Sequence, residues 1–114
     1  MKDNIAIFSD EEELEKALIS DIFSPFVYLI KGYKMYIVEN PLFDPILREN
    51  EYNVQYYKNV VAWLFSLDVG EVIISDLSDH FLVQEMNSAG ISVFLNRGTV
   101  RDIALRSVLS YVEK

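Results

Sequence analysis

The amino-terminal third of the chain carries its apolar residues in short runs and not at helical spacing. An apolar run at 5–8, closed by polar residues, predicts a buried first strand. Two runs rich in aromatic and β-branched residues, at 26–30 and 33–38, predict two more strands. Gly32 between them supplies the flexible backbone that a tight turn requires, so we expect a strand followed by a β-hairpin.

The second half of the chain alternates between helical spacing and short apolar runs. Apolar residues return every three or four positions in 54–67, 78–89 and 100–112, which predicts three amphipathic helices. The runs at 72–74 and 91–95 are short and branched, and they are predicted to be strands between these helices.

Polar residues stand where each of these helices is expected to begin. Asn53, Ser78 and Thr99 precede the three periodic segments, and their side chains can accept hydrogen bonds from first-turn amides. Gly90 follows the second helix, where a left-handed residue commonly ends a helix.

Two segments between the regular elements are less periodic. The acidic stretch 11–19 repeats a few apolar residues at spacings of three and four, which predicts one or two helical turns with a solvated charged surface. The stretch 39–53 contains two prolines and is expected to be a long surface loop.

This order of elements predicts an α/β fold. Short connections between alternating helices and strands favour right-handed crossovers and parallel pairing. The hairpin adds one antiparallel strand, so we expect a mixed five-stranded sheet with helices on both faces. A chain of 114 residues is expected to form a single domain spanning 1–114.

Composition excludes several classes of function. The chain contains no cysteine, which excludes disulfides, thiolate-bound iron-sulfur clusters and thiol catalysis. The formal net charge of −8 opposes binding to nucleic acid and to anionic membranes. No apolar run approaches the roughly 18 to 20 residues that span a bilayer, so a cytoplasmic location is expected.

A ligand site is expected at the carboxyl ends of the parallel strands. In doubly wound sheets the loops diverge where the strand order reverses and leave a crevice there, with helix amino ends offering N–H groups to an anion. The residues expected to line this crevice are Ser9 and Asp10, the stretch from Ser75 to His80, and the stretch from Asn96 to Thr99.

Four short stretches follow the order and spacing of a known family. They read Val-Glu-Asn-Pro at 38–41, Val-Gly-Glu-Val-Ile-Ile at 69–74, Ala-Gly-Ile at 89–91 and Gly-Thr-Val at 98–100. The chain thereby resembles the dinitrogenase iron-molybdenum cofactor-binding family. The resemblance implies a three-layer, ribonuclease H-like fold and a non-catalytic role in binding or shuttling metal-sulfur cofactors during nitrogenase assembly.

The chain departs from that family at two places. Where the family has His-Phe-Gly-Arg before its second strand, this chain has Ile-Phe-Ser-Pro at 22–25, and where the family has a glycine-rich turn it has Asp-Leu-Ser-Asp at 76–79. The added aspartates disfavour an anionic cluster by charge repulsion. Together with the strand-end residues, the predicted cofactor-binding set is Ser9, Ser24, Ser75, Asp76, Ser78, Asp79, His80, Arg97 and Thr99.

Several of these residues have more than one interpretation. His80 is the only histidine, and it is either a metal ligand or a surface residue in the first turn of a helix. Arg97 could pair with an anion, with Asp76 or with Asp79. Asp10 and Asp76 could hold Mg²⁺ in a nuclease-like hydrolase, but a third carboxylate is missing, so no catalytic residue and no enzyme activity are expected.

Two function classes remain open. The first is a small carrier of an anionic or metal-containing cofactor, as the resemblance implies. The second is a protein-interaction module that kept the fold and lost the site, with aromatic residues between 52 and 65 as candidate contacts. Either could be a monomer or a homodimer, since the edge of the hairpin can pair with a second copy.

Overall fold

The computed structural model of the protein describes residues 3–46, 54–76 and 80–113, with side chains through residue 107. Five strands and three helices follow one another in the order that the sequence predicts. They are β1 (Asn4–Ser9), β2 (Phe26–Lys31), β3 (Lys34–Glu39), α1 (Val54–Ser66), β4 (Val69–Ile74), α2 (His80–Ser88), β5 (Ser92–Leu95) and α3 (Val100–Glu113).

All five strands form one mixed sheet, in the order β3-β2-β1-β4-β5. β2 pairs antiparallel with both of its neighbours, whereas β1 with β4 and β4 with β5 pair in parallel. The hairpin therefore lies on one side of β1, and the chain crosses through α1 to place β4 on the other side. The strand order reverses between β1 and β4, which is where a ligand crevice is expected in such sheets.

α1 and α2 cover one face of the sheet. Alternate strand residues such as Phe8 and Val72 are fully buried there, against Leu64 of α1 and Met86 of α2. Successive strand side chains point to opposite faces, so a strand buried on both sides reads as a continuous apolar run. The runs in β1 and β4 have this character, and each of these strands has a neighbouring strand on both sides.

α3 and the stretch 14–19 cover the opposite face. Ile7 and Tyr28 are fully buried beneath Val100 and Ala104 of α3, with Ala17 beside them. The structure thus has helices on both faces of a five-stranded sheet, as the sequence predicts. No helix among the described residues combines the length and the apolar character that a membrane crossing needs.

Two predicted helix ends are confirmed in detail. Gly90 has a φ of 78°, and the amides of Gly90 and Ile91 donate to the carbonyls of Asn87 (3.0 Å) and Met86 (2.8 Å). This is a Schellman motif, in which a left-handed residue satisfies the last carbonyls of a helix. Thr99 caps α3, since its Oγ1 accepts a hydrogen bond of 3.2 Å from the Asp102 amide.

The predicted helix at 11–19 is wrong. Only a turn forms at 14–16, and the backbone after it bonds to other elements. The Ile19 amide donates to the Gly98 carbonyl (3.0 Å), and the Ser20 amide donates to the Phe8 carbonyl (2.8 Å). These long-range hydrogen bonds replace the helical ones, because a short segment gains little from isolated helical turns.

Other boundaries differ slightly from the predicted ones. β4 begins at Val69, three positions before the predicted start, and Gly70 lies within it. β3 extends to Glu39, so the loop after it starts at Asn40. The predicted caps Asn53 and Ser78 lie outside the described residues.

Candidate functional site

The polar loops at one end of every strand lie together, along the border of the sheet that is formed by strand ends. The carboxyl ends of β1, β4 and β5 lie there because these strands are parallel, and the antiparallel β2 begins at the same edge. β3 also ends there, with Glu39 opposite Phe26. We call this edge the rim, and its described residues are 9–10, 18–24, 40, 75–76 and 96–99.

A short segment, 18–20, ties the rim together. Its Ser20 accepts a hydrogen bond of 2.9 Å at its carbonyl from the Ser75 amide, while its own amide donates to the end of β1. Ile19 donates to Gly98 in the loop after β5, and Leu18 forms an isolated bridge with Thr99. The loops after three different strands therefore converge at the point where the strand order reverses.

Ser9, the last residue of β1, holds this segment in place through its side chain. Its side chain is fully buried, and its Oγ donates to the Leu18 carbonyl at 2.8 Å and accepts from the Glu11 amide at 3.2 Å. Asp10, next to it, is exposed and accepts a hydrogen bond of 3.1 Å from the Ser20 hydroxyl. The observed bonds of Ser9 position the rim backbone, and contact of its hydroxyl with a ligand stays a prediction.

Ser24 belongs to a second, fully buried polar group. Its Oγ donates to the Asp21 carbonyl (2.8 Å), and its own carbonyl accepts from Asn40 Nδ2 (3.0 Å). Asn40 Nδ2 also lies 3.0 Å from the Tyr56 hydroxyl, which donates to the Ile22 carbonyl at 2.7 Å. This group fixes the loop before β2 to the end of β3 and to α1.

Removal of the Tyr56 hydroxyl tests how much this buried polar group contributes to the stability of the fold. Tyr56→Phe is expected to lower the free energy of unfolding by about 1–3 kcal/mol, because the buried Ile22 carbonyl loses its donor. Tyr36→Phe is the matched control, since its ring is 46% exposed, and a change within about 0.5 kcal/mol is expected there. Urea denaturation measures both variants, and equal losses would contradict the assigned role.

Arg97 places a positive charge at the rim. It is exposed, and its Nε donates a long hydrogen bond of 3.4 Å to the Ser75 carbonyl, from the loop after β5 to the loop after β4. Asn96 stabilises the same loop, since its Oδ1 accepts a hydrogen bond of 2.7 Å from the Gly98 amide.

Within the described ranges Arg97 forms no ion pair with Asp76, which is exposed. Ser78 and Asp79 lie in the undescribed stretch 77–79.

The amino end of α3 offers fewer free amides than expected. The Val100 amide donates to the Ala17 carbonyl at 3.1 Å, and the Asp102 amide is taken by Thr99. Two of the first three amides of α3 thus already have partners within the chain. The exposed side chain of Arg97 is therefore a more available hydrogen-bond donor at this end of the rim than these two amides.

His80 stands apart from these contacts. It is the first residue of α2, it is exposed, and its ring lies 5.8 Å from the ring of Phe81. Across the described ranges, no group of three or more histidine, aspartate or glutamate side chains is arranged to hold a metal ion. A role of His80 as a lone metal ligand stays a prediction.

The acidic loop 10–16 is anchored beside the rim at two points. The Tyr28 hydroxyl donates to the Glu11 carbonyl at 2.7 Å, and Arg101 pairs with Glu15 at 3.0 Å. Burial raises the pKa of the Tyr28 phenol, and the nearby carboxylates of the loop raise it further. The phenol therefore stays protonated and keeps donating at physiological pH.

The sequence did not indicate four of the residues that shape the rim. Ser20 and Asp21 follow the stretch 11–19, in a connection for which no structure was predicted. Asn40 was assigned to a surface loop, and Tyr56 was one of the aromatic residues given as candidate contacts of an interaction module. One pattern could have indicated Asp21, because aspartate followed by serine three residues later often forms a local turn. The partners of Asn40 and Tyr56 are distant in sequence, and no local pattern identifies them.

Comparison by sequence finds no relative, since no protein-family model and no curated protein matches the chain. Comparison by structure finds several. The crystal structure of PH0822 matches with a TM-score of 0.68 and 16% identity, covering 94% of this chain and 91% of that one.

Two further structures match to a similar extent. TM1290 from Thermotoga, which belongs to the DUF35 family and has a provisional NifB name, gives a TM-score of 0.64 at 21% identity, covering 94% of this chain and 87% of its own. The apo form of the orange protein from Desulfovibrio gigas gives 0.69 at 17% identity, covering 95% and 88%. At such low identity, these matches establish that the chain shares the α/β fold of these proteins.

Proposed function

We propose that this domain is a non-catalytic carrier that binds an anionic, metal-containing ligand at the rim. The observation that carries the proposal is the position of Arg97, whose exposed guanidinium lies beside Ser75 where the loops after β4 and β5 meet. A guanidinium group donates several hydrogen bonds to an anion and keeps its charge at every physiological pH. The rim thus has a donor group at the crevice expected from the strand order.

The available side chains favour a ligand whose metal already has its own ligands. The chain has no cysteine, and the described residues hold no cluster of metal-binding side chains. A bare ion would need such a cluster. In a thiomolybdate anion the metal already carries its full set of sulfide ligands, so hydrogen bonds and charge can hold it. A metal-sulfur cluster would have to bring its own terminal ligands, because the chain has no thiolate to supply them. His80 would add at most one ligand.

The structural neighbours support the same class of cargo. The orange protein structure is that of an apo form, so that protein takes a ligand, and TM1290 has a name from the nitrogenase system. Together with the sequence resemblance to the iron-molybdenum cofactor-binding family, these names favour a metal-sulfur cofactor. The resemblance, with helices on both faces of the mixed sheet, also favours a ribonuclease H-like arrangement of the three layers. Such a carrier would act in the assembly of metal cofactors.

The charge of the protein sets a limit on affinity. Asp10 and Asp76 are exposed at the rim, and the whole chain carries a net charge of −8. Both the rim carboxylates and the net charge weaken binding of an anion, and the positive charge of Arg97 counteracts this repulsion locally. We therefore expect modest affinity, as suits a protein that must release its ligand, and affinity that changes with salt concentration.

Titration with tetrathiomolybdate tests the proposal. A ligand that binds only the folded protein stabilises it by about 2.7 kcal/mol when its concentration is roughly 100 times Kd, so the unfolding temperature should rise with ligand concentration. Sulfate at equal concentration is the control for a general anion effect. No rise at millimolar tetrathiomolybdate, or an equal rise with sulfate, would contradict a carrier of metal-sulfur anions.

An interaction module is the second candidate, and exposed apolar residues at the rim favour it. Leu18, in the segment that ties the rim together, is 61% exposed, and Leu95 at the end of β5 is 56% exposed. Apolar surface bordered by polar groups is typical of protein contacts. If no anion binds and Leu18→Asp abolishes capture of a specific protein partner, the module is the better description.

A further inference from the structure

β3 is an unprotected edge of the sheet. It runs from Lys34 to Glu39, contains no proline, and pairs with β2 through all six residues without a bulge. Among the described elements only β2 pairs with it. Natural proteins usually interrupt or cover such edges, because a straight edge strand presents unpaired N–H and C=O groups to any other strand.

The hairpin turn determines which backbone groups of β3 face outwards. Lys31 and Lys34 flank a two-residue turn whose first residue, Gly32, has a φ of 63°. Residues that flank such a turn exchange hydrogen bonds, and hydrogen-bonded pairs then alternate along the ladder. The even-numbered residues of β3 therefore bond to β2, while Met35, Ile37 and Glu39 direct their N–H and C=O groups to the open edge.

Apolar side chains flank this edge on both faces of the sheet. Tyr36 is 46% exposed on the face covered by α1 and α2, and Ile37 is 47% exposed on the face covered by α3. α3 is the only described helix on its face and packs near the centre of the sheet, so it leaves Ile37 uncovered. The edge thus combines free hydrogen-bonding groups with apolar surface.

We propose that β3 pairs with β3 of a second copy of this chain, in antiparallel orientation, so that two five-stranded sheets become one continuous sheet. A two-fold axis normal to the sheet places the α3-covered faces of both copies on the same side. Side chains alternate between faces along a strand, so the residue numbers of two residues opposite each other must differ by an even number. Pairing centred on Tyr36 meets this condition. It places Met35 opposite Ile37 of the second copy. The N–H and C=O groups of both residues point to the open edge, so the two residues can exchange hydrogen bonds.

Charge favours the antiparallel orientation over the parallel one. The hairpin tip carries Lys31 and Lys34, and the other end of β3 carries Glu39. Antiparallel pairing brings each basic tip beside the acidic end of the second copy, whereas parallel pairing would bring like charges together. The edge therefore complements itself in hydrogen bonds, apolar contacts and charge, which is the reason to choose a second copy as the partner.

Sedimentation velocity over micromolar to millimolar protein tests this pairing. The wild type is expected to shift from monomer to dimer, and Ile37→Lys should weaken the association at least about tenfold by placing like charges across the two-fold axis. Tyr36→Lys should do the same from the other face. Circular dichroism and thermal unfolding confirm that each variant is folded.

Phe94→Lys is the matched control. Phe94 is 49% exposed, lies on the same face as Ile37, and belongs to β5, the shorter strand at the opposite edge. This variant should dimerise like the wild type. A wild type that stays monomeric at every concentration would overturn the proposal, and so would a dimer that Phe94→Lys dissociates and Ile37→Lys does not.

Discussion

Replacing Phe8 with alanine is expected to lower the free energy of unfolding by about 3–5 kcal/mol. Phe8 is fully buried in β1, the central strand, and it packs in the larger of the two cores, between the sheet and α1. Its removal would leave a cavity that strands paired on both sides of β1 cannot close. The loss is a large fraction of the stability of a domain of this size.

Phe94→Ala provides the comparison for Phe8→Ala. The same side chain is removed from an edge strand where it is half exposed, so a loss of about 1 kcal/mol or less is expected. Urea denaturation followed by circular dichroism measures both variants under the same conditions. Similar losses at the two positions would contradict the assignment of β1 as the centre of the core.

Reversing the charge of Arg97 is expected to weaken tetrathiomolybdate binding at least about tenfold, equivalent to about 1.4 kcal/mol. Arg97→Glu removes the guanidinium beside Ser75 and adds a carboxylate to the rim, where Asp10 and Asp76 are already exposed. The rest of the fold should be unaffected, because the side chain is exposed and its hydrogen bond to Ser75 is long. Isothermal titration calorimetry measures the affinity.

Arg106→Glu distinguishes a local effect from one of net charge. Arg106 is also exposed, and it lies on α3 six residues beyond Val100, about 9 Å further along the helix axis. The two variants have the same net charge, and Arg106→Glu should keep most of the wild-type affinity. An equal loss of affinity in both variants would indicate that the anion responds to the overall electrostatic field of the protein, and that Arg97 makes no specific contact with it.

The fold could be predicted because its strands and helices have distinct periods. β1 and the 72–74 part of β4 read as continuous apolar runs because both of their faces are buried, and α1 and α3 show the stripe of a helix packed on one side. The stretch 11–19 was wrongly predicted for a physical reason. Its backbone bonds to Gly98 and Val100, which lie far away in sequence, and helical spacing contains no information about such partners.

The candidate site could be placed in part. The rule that ligands bind at the carboxyl ends of parallel strands brings Ser9, Ser75 and Arg97 to one edge, and the structure joins their loops through 18–20. The degree to which the amino end of α3 is already satisfied could not be predicted, because the donor is Val100 and the acceptor, Ala17, belongs to the misassigned segment. The buried contacts of Asn40 and Tyr56 depend on tertiary packing for the same reason.

The central claim is that the rim binds an anionic, metal-containing ligand, and amide chemical shifts test it most directly. Uniformly ¹⁵N-labelled protein titrated with tetrathiomolybdate should show its largest saturable shifts at Ser20, Ser75 and Arg97, with Gly32 at the hairpin tip unchanged. Saturable shifts centred on the hairpin or on α1, or no shifts at millimolar ligand, would contradict the account.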